Sequence, residues 1–94
     1  MFGTIMRARA KPGQREALVQ FMAGYEQRRR PDGFESVQVA WGDQDPDQVI
    51  TVVRFRDRES YMANATDPDQ DREYRAMLEY LQGEPEWVDV HFQD

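Results

Sequence analysis

The side chains with chemistry to offer in this chain are phenols, an asparagine and guanidinium groups. Tyr25, Tyr61, Asn64 and Tyr74 could hydrogen-bond a small ligand, with Met6 and Phe55 as apolar walls around it. Tyr61, Asn64 and Tyr74 are the candidate catalytic residues among them, because their hydroxyl and amide groups could orient a bound molecule by hydrogen bonds. Each aromatic or methionine at helical spacing equally suits plain core packing. The amide of Asn64 is different, because near a buried face it needs hydrogen-bond partners. His91 is the sole histidine, so any imidazole acid–base step would have to use it. Cysteine is absent, which excludes disulfides, thiolate catalysis and cysteine-ligated metals. Asp67, Asp69, Asp71 and Glu73 alternate faintly like a calcium loop, but the required glycine and closing bidentate glutamate are missing. Carboxylates gathered at a helix N-terminus account for that run. With no phosphate-cradling glycine loop, nucleophile elbow or zinc motif, neither a metal nor a bound cofactor is expected.

Those residues need a scaffold, and 94 residues make one domain. Apolar residues are 39% of the chain and aromatic ones 12%, enough for a packed core that a partner subunit would help to cover. The net charge of −6 argues against nucleic acid or an acidic membrane as the main partner. No apolar run approaches the roughly 20 residues of a membrane span. Met1–Arg7 has no basic segment ahead of a long apolar one, so a soluble cytoplasmic protein is expected.

Periodicity sets the element order. Strand Phe2–Ala10 alternates and stops at Lys11-Pro12-Gly13. Helix Gln14–Arg30 follows, with Ala17, Leu18, Phe21, Met22 and Tyr25 on one face and Pro31 after it. Its final arginines, Arg28–Arg30, suit a solvated helix end. Strands Phe34–Trp41 and Val49–Arg56 flank a polar hairpin loop. The helical stretch Arg58–Gln82 is interrupted, with an N-cap at Asp57 and a second start at Asp67-Pro68. Gly83 can end it in the left-handed conformation, before strand Trp87–Phe92. A βαββαβ order gives an α+β, ferredoxin-like sandwich: one antiparallel four-stranded sheet with the helices on one face.

The other face has nothing to cover it. The helix side is assigned Phe2, Thr4, Met6, Ala8 and Ala10; Val49, Thr51, Val53 and Phe55; and Val88, Val90 and Phe92. The bare side then collects Ile5, Arg7, Arg9, Ile50, Val52, Arg54, Arg56, Trp87, Asp89 and His91. Four cations so close need anions, from Asp89, Glu35 or a second subunit. Two readings follow for Arg7, Arg9, Arg54, Arg56, Trp87, Asp89 and His91: a homodimer interface with a charged rim, or an anion site. On this reading His91 lies away from the inferred cavity.

Three segments carry a resemblance over nearly the whole chain. They are Arg7-Ala8-Arg9-Ala10-Lys11-Pro12-Gly13, Gly33-Phe34-Glu35-Ser36-Val37-Gln38-Val39, and Val53-Arg54-Phe55-Arg56-Asp57-Arg58-Glu59-Ser60-Tyr61. With them the chain resembles the antibiotic-biosynthesis monooxygenase superfamily of dimeric α/β barrels. The resemblance implies sheets packed face to face in a homodimer and a ligand cavity between sheet and helices of each subunit. It also implies a cofactor-independent monooxygenase-like activity on a small aromatic or quinol-type substrate. The alternative is a non-catalytic, ligand-binding or structural dimer of the same fold. The haem-degrading branch uses a strand-one asparagine with a tryptophan and a histidine on the second helix. Met6 stands at the asparagine position, and Arg58–Gln82 holds neither of the other two; Asn64 and Tyr74 or Arg75 stand near their places. Haem degradation is therefore not expected.

Overall fold

β-Branched and aromatic residues at alternate positions form the strands that the computed structural model describes over residues 1–93. The elements are β1 (Phe2–Arg9), α1 (Arg15–Ala23), α2 (Tyr25–Arg28), β2 (Phe34–Trp41), β3 (Gln48–Phe55), α3 (Arg58–Ala65), α4 (Pro68–Leu78) and β4 (Glu86–His91). The sheet is antiparallel throughout, in the order β2-β3-β1-β4. The expected α+β, ferredoxin-like architecture is the one observed. No helix of the described residues is long and apolar enough to cross a membrane.

The helices start where side chains satisfy their free N–H groups. Asp57 accepts from the Ser60 N–H at 2.8 Å and caps α3. That bond is the main reason its carboxyl sits below the usual range. Asp67 does the same for α4 through the Asp69 N–H at 2.8 Å, with Pro68 at the first helical position. Met6, Ala10, Leu18, Val49 and Leu81 make the buried core, with Met77 and Leu78 at the end of α4 packed against it. Each large side chain in it contributes about 1.5–3 kcal/mol.

Three departures from the sequence pattern have physical causes. The helix expected over 14–30 breaks at Gly24 into α1 and a single turn, and Arg29 is extended at φ −161°. Glycine weakens the helix there, and Pro31 steers the preceding backbone out of the helical region. The second departure is at the end of α4, which stops at Leu78. The chain then lies along β1: the Lys11 N–H donates to Tyr80 O at 2.9 Å and the Gln82 N–H to Arg9 O at 2.8 Å. Gly83 does take positive φ (+77°), but it turns the chain after this bridge and does not cap the helix.

The third departure is the parity of β4. Met6, Thr4 and Phe2 pair with Trp87, Asp89 and His91. Directly paired residues of antiparallel strands share a face, so these three face the helices. The bare side takes Val88, Val90 and Phe92 instead. Assigning faces by polarity fails here because β4 is an edge strand beside open space, where Asp89 and His91 remain exposed on the helix side. The bare face is accordingly more apolar than expected, with Ile5, Ile50, Val52, Val88, Val90 and Phe92. Its arginines also find other partners than Asp89 and Glu35. Arg7 pairs with Glu86 at 3.1 Å, Arg9 with Asp45, and Arg56 with Asp32 at 3.2 Å and Asp57 at 3.3 Å. Arg54 lies 3.9 Å from the Phe92 ring centroid.

Gly3 is buried in β1, and a Cβ there would stand 1.8 Å from the Val53 carbonyl oxygen. Neither inner strand can yield without losing its ladder. Overpacking of this kind costs about 1–3 kcal/mol, so Gly3→Ala lowers the melting temperature by on the order of 10 °C. Thermal unfolding followed by circular dichroism checks this, and an unchanged midpoint contradicts it.

Candidate functional site

α4 meets the core only through its last turn, and its earlier turns stand over a cavity of about 350 Å³ between helices and sheet. All six residues singled out as pocket candidates line it: Met6, Tyr25, Phe55, Tyr61, Asn64 and Tyr74. Thr4, Thr51, Val53 and Phe34 complete the sheet side, and Phe21, Met22 and Met77 the helix side. Trp87, from the strand whose parity was unexpected, closes one wall with its ring 5.9 Å from that of Tyr74.

One end of the cavity is a continuous aromatic series. Tyr25 meets Phe34 at 5.7 Å, Phe34 meets Phe55 at 5.7 Å edge-on, and Phe55 meets Tyr61 at 5.5 Å. Tyr61 then meets Phe2 at 5.2 Å, and Phe2 meets His91 at 4.9 Å. These separations favour tilted and edge-to-face contact, which fixes the rings as well as burying them.

The polar groups are oriented rather than free. Asn64 Oδ1 accepts from the Arg29 guanidinium. Arginine can only donate, so the oxygen is the amide atom turned to Arg29 and the Nδ2 group keeps its donors for other partners. Arg29 is well buried, lies 3.6 Å from Asp67 and 3.9 Å from Asp69, and leaves its Nε without a partner. Tyr25 OH donates to Gln70 Oε1 at 2.7 Å, and Arg28 Nε to Glu73 Oε1 at 2.8 Å. Together these two bonds tie α2 to α4 across the cavity. Tyr61 OH donates to Asp89 Oδ1 at 2.8 Å. Burial, reinforced by that carboxylate, pushes the Tyr61 phenol up to about 12.

Arg28 and Arg30 are exposed at the helix end, as expected, and Arg29 alone is drawn inward. Arg28, the last residue of α2, and Arg29, just after it, both reach across to the α3–α4 region. Asp69, Asp71 and Glu73 pair with Arg72, Arg75 and Arg28. Of the seven residues expected at an interface or anion site on the bare face, Arg7, Arg9 and Arg54 belong to strand positions on it and Arg56 follows β3. Trp87, Asp89 and His91 instead surround the cavity side.

The antibiotic biosynthesis monooxygenase profile matches residues 1–77. The chain belongs to this family. No match was found among curated proteins. Solved structures share the fold of this family member at low identity. A Streptomyces coelicolor monooxygenase in complex with the ligand Nanaomycin D is 21% identical, with 99% of this chain and 88% of that one covered and a TM-score of 0.81. A conserved Methanosarcina mazei protein is 13% identical over 98% and 92% of the two chains, with a TM-score of 0.80. A Mycobacterium tuberculosis protein is 19% identical over 99% and 95%, with a TM-score of 0.76.

Tyr61 gives a direct check on the site of this family member. Its folded-state pKa of about 12 lies above the ordinary phenol value near 10. The folded protein therefore holds this proton more tightly than the unfolded chain. The associated stability is complete below pH of about 10 and is lost as pH rises through about 12. Ultraviolet or NMR titration is expected to show one tyrosine still neutral well past pH of about 10, with that late step missing in Tyr61→Phe. A Tyr61 midpoint at the ordinary value contradicts the described geometry.

Proposed function

We propose that this family member is a cofactor-independent monooxygenase acting on a small aromatic or quinol-type substrate held between sheet and helices, and that it works as a homodimer. The observation that carries the reading is the cavity itself: about 350 Å³, with aromatic and aliphatic walls into which tyrosines and Asn64 are set and with charged groups at its rim. An electron-rich ionised aromatic can give electrons to oxygen directly. The protein then has to exclude water, hold the ring against Phe55 and Tyr74, and stabilise negative charge on the substrate oxygen. The Asn64 Nδ2 donors, with Oδ1 engaged by Arg29, suit that last task. The ligand in the Streptomyces coelicolor complex supports a small-molecule occupant.

One observation favours binding without catalysis. Asp71 and Glu73, the carboxylates at the cavity rim, are already paired with Arg75 and Arg28. Oxygen uptake with naphthohydroquinone, corrected for autoxidation, separates the two readings. Uptake is expected for the native chain, with about a hundredfold loss in Asn64→Ala, the cost typical of removing one oxyanion donor. Ligand binding without uptake leaves only the binding reading.

The dimer rests on the bare sheet face, where Val88 is 59% exposed beside Ile5, Val90 and Phe92. Apolar area of that kind on an open sheet usually meets another protein surface. Light scattering after size exclusion is expected to give twice the mass of one chain, and Val88→Arg is expected to shift it to one. A native monomer at micromolar concentration contradicts the pairing.

A further inference from the structure

We propose that Asp89, acting through Tyr61, is the outlet for the proton that a hydroxylated aromatic substrate must lose before it reacts with oxygen. The inference rests on the monooxygenase reading above and supplies a base other than the rim carboxylates Asp71 and Glu73, which are held in ion pairs. Three features place it. Tyr61 lines the cavity and Asp89 does not, and the Tyr61 hydroxyl is bonded to that carboxylate. The Tyr61 ring is held between Phe2 at 5.2 Å and Phe55 at 5.5 Å, which aims its OH at Asp89 Oδ1, 2.8 Å away. Asp89 is exposed to solvent on the far side.

The step is a proton transfer with no change of oxidation state. The substrate hydroxyl gives its proton to Tyr61 Oη as the Tyr61 proton passes to Asp89 Oδ1. A phenolate is left in the cavity, Tyr61 is neutral again, and Asp89 as the acid releases its proton to water. The raised phenol pKa fits this role, because Tyr61 stays a neutral conduit and does not become a lasting anion. Thr4, on the cavity floor, donates to Val88 O at 3.1 Å and also touches the phenol oxygen.

The ionisable groups around the pair are few. His91 lies two residues along β4, and Arg58 on α3 has its guanidinium 6.0 Å from the Phe2 ring. Tyr74 stands across the cavity on α4, and the Met1 carbonyl binds the Phe92 N–H at the same end of the sheet. β1 and β3 face Tyr61 with Phe2, Thr4 and Phe55, none of which titrates in this range.

Naphthohydroquinone oxidation by the full chain, its Asp89→Asn and Tyr61→Phe variants and the double variant tests the relay. Asp89→Asn keeps an acceptor for the Tyr61 OH and so preserves the ring's position, while Tyr61→Phe is an independent arm. Each single variant is expected to lower kcat about 10²-fold near pH 7 with KM nearly unchanged, and the double variant no further. The gap should narrow as pH rises towards about 10, where the substrate ionises by itself. Native rates in both single variants, or a gap that stays constant with pH, overturn the relay alone. No uptake by the native chain overturns the monooxygenase reading and the relay with it.

Discussion

β1 is hydrogen-bonded along both edges, and its register decides what every other strand shows to the helices. Pairing of Met6 with both Thr51 and Trp87 puts those side chains on one face. Pairing of Ile5 with Val52 and Val88 puts a second set on the other. A slip of one residue would exchange the two sets. Gly3 locks this arrangement sterically, because the approach of Val53 O leaves no room for a side chain. The core, the cavity floor and the apolar outer face all follow from that pairing.

The same sheet serves two purposes along its length. Towards Ala10 and Val49 it is sealed by Leu18, Leu81 and the last turn of α4. Towards Phe2 and Phe55 it meets aromatic rings that contact one another edge-on and leave space beside them. An aromatic series suits a cavity wall because each ring is fixed by its neighbours and does not need a ligand to hold its place. Two of the polar groups have their orientation set by residues outside the lining: Asn64 by Arg29 and Tyr61 by Asp89.

Much of this was legible in the chain. Strand alternation and the capping aspartates gave the elements, strand parity gave Met6 and Phe55, and helix positions gave Tyr25, Tyr61, Asn64 and Tyr74, since these signals are local. What stayed hidden was non-local. For β4, Val88 and Val90 look like core and Asp89 and His91 like surface, yet pairing with β1 reverses them. Polarity is a sound guide only where one face is packed and the other wet. Here one face borders a partly open cavity and the other is apolar, so the rule inverts. Arg29 was hidden for a related reason. A run of three arginines reads as solvated, and nothing near it in sequence reveals that Asn64, thirty-five positions on, takes one of them.

The two cross-links between α2 and α4 bear on how anything gets in. Arg28–Glu73 is a single exposed ion pair and Tyr25–Gln70 a partly buried hydrogen bond, and each holds with only about 1 kcal/mol. Parting them exposes groups that water solvates readily. The aromatic floor, by contrast, cannot shift without giving up packing worth several times as much. On the proposed reading, the contacts that part to admit a ligand lie in the roof, and the rings that shape its place lie in the floor.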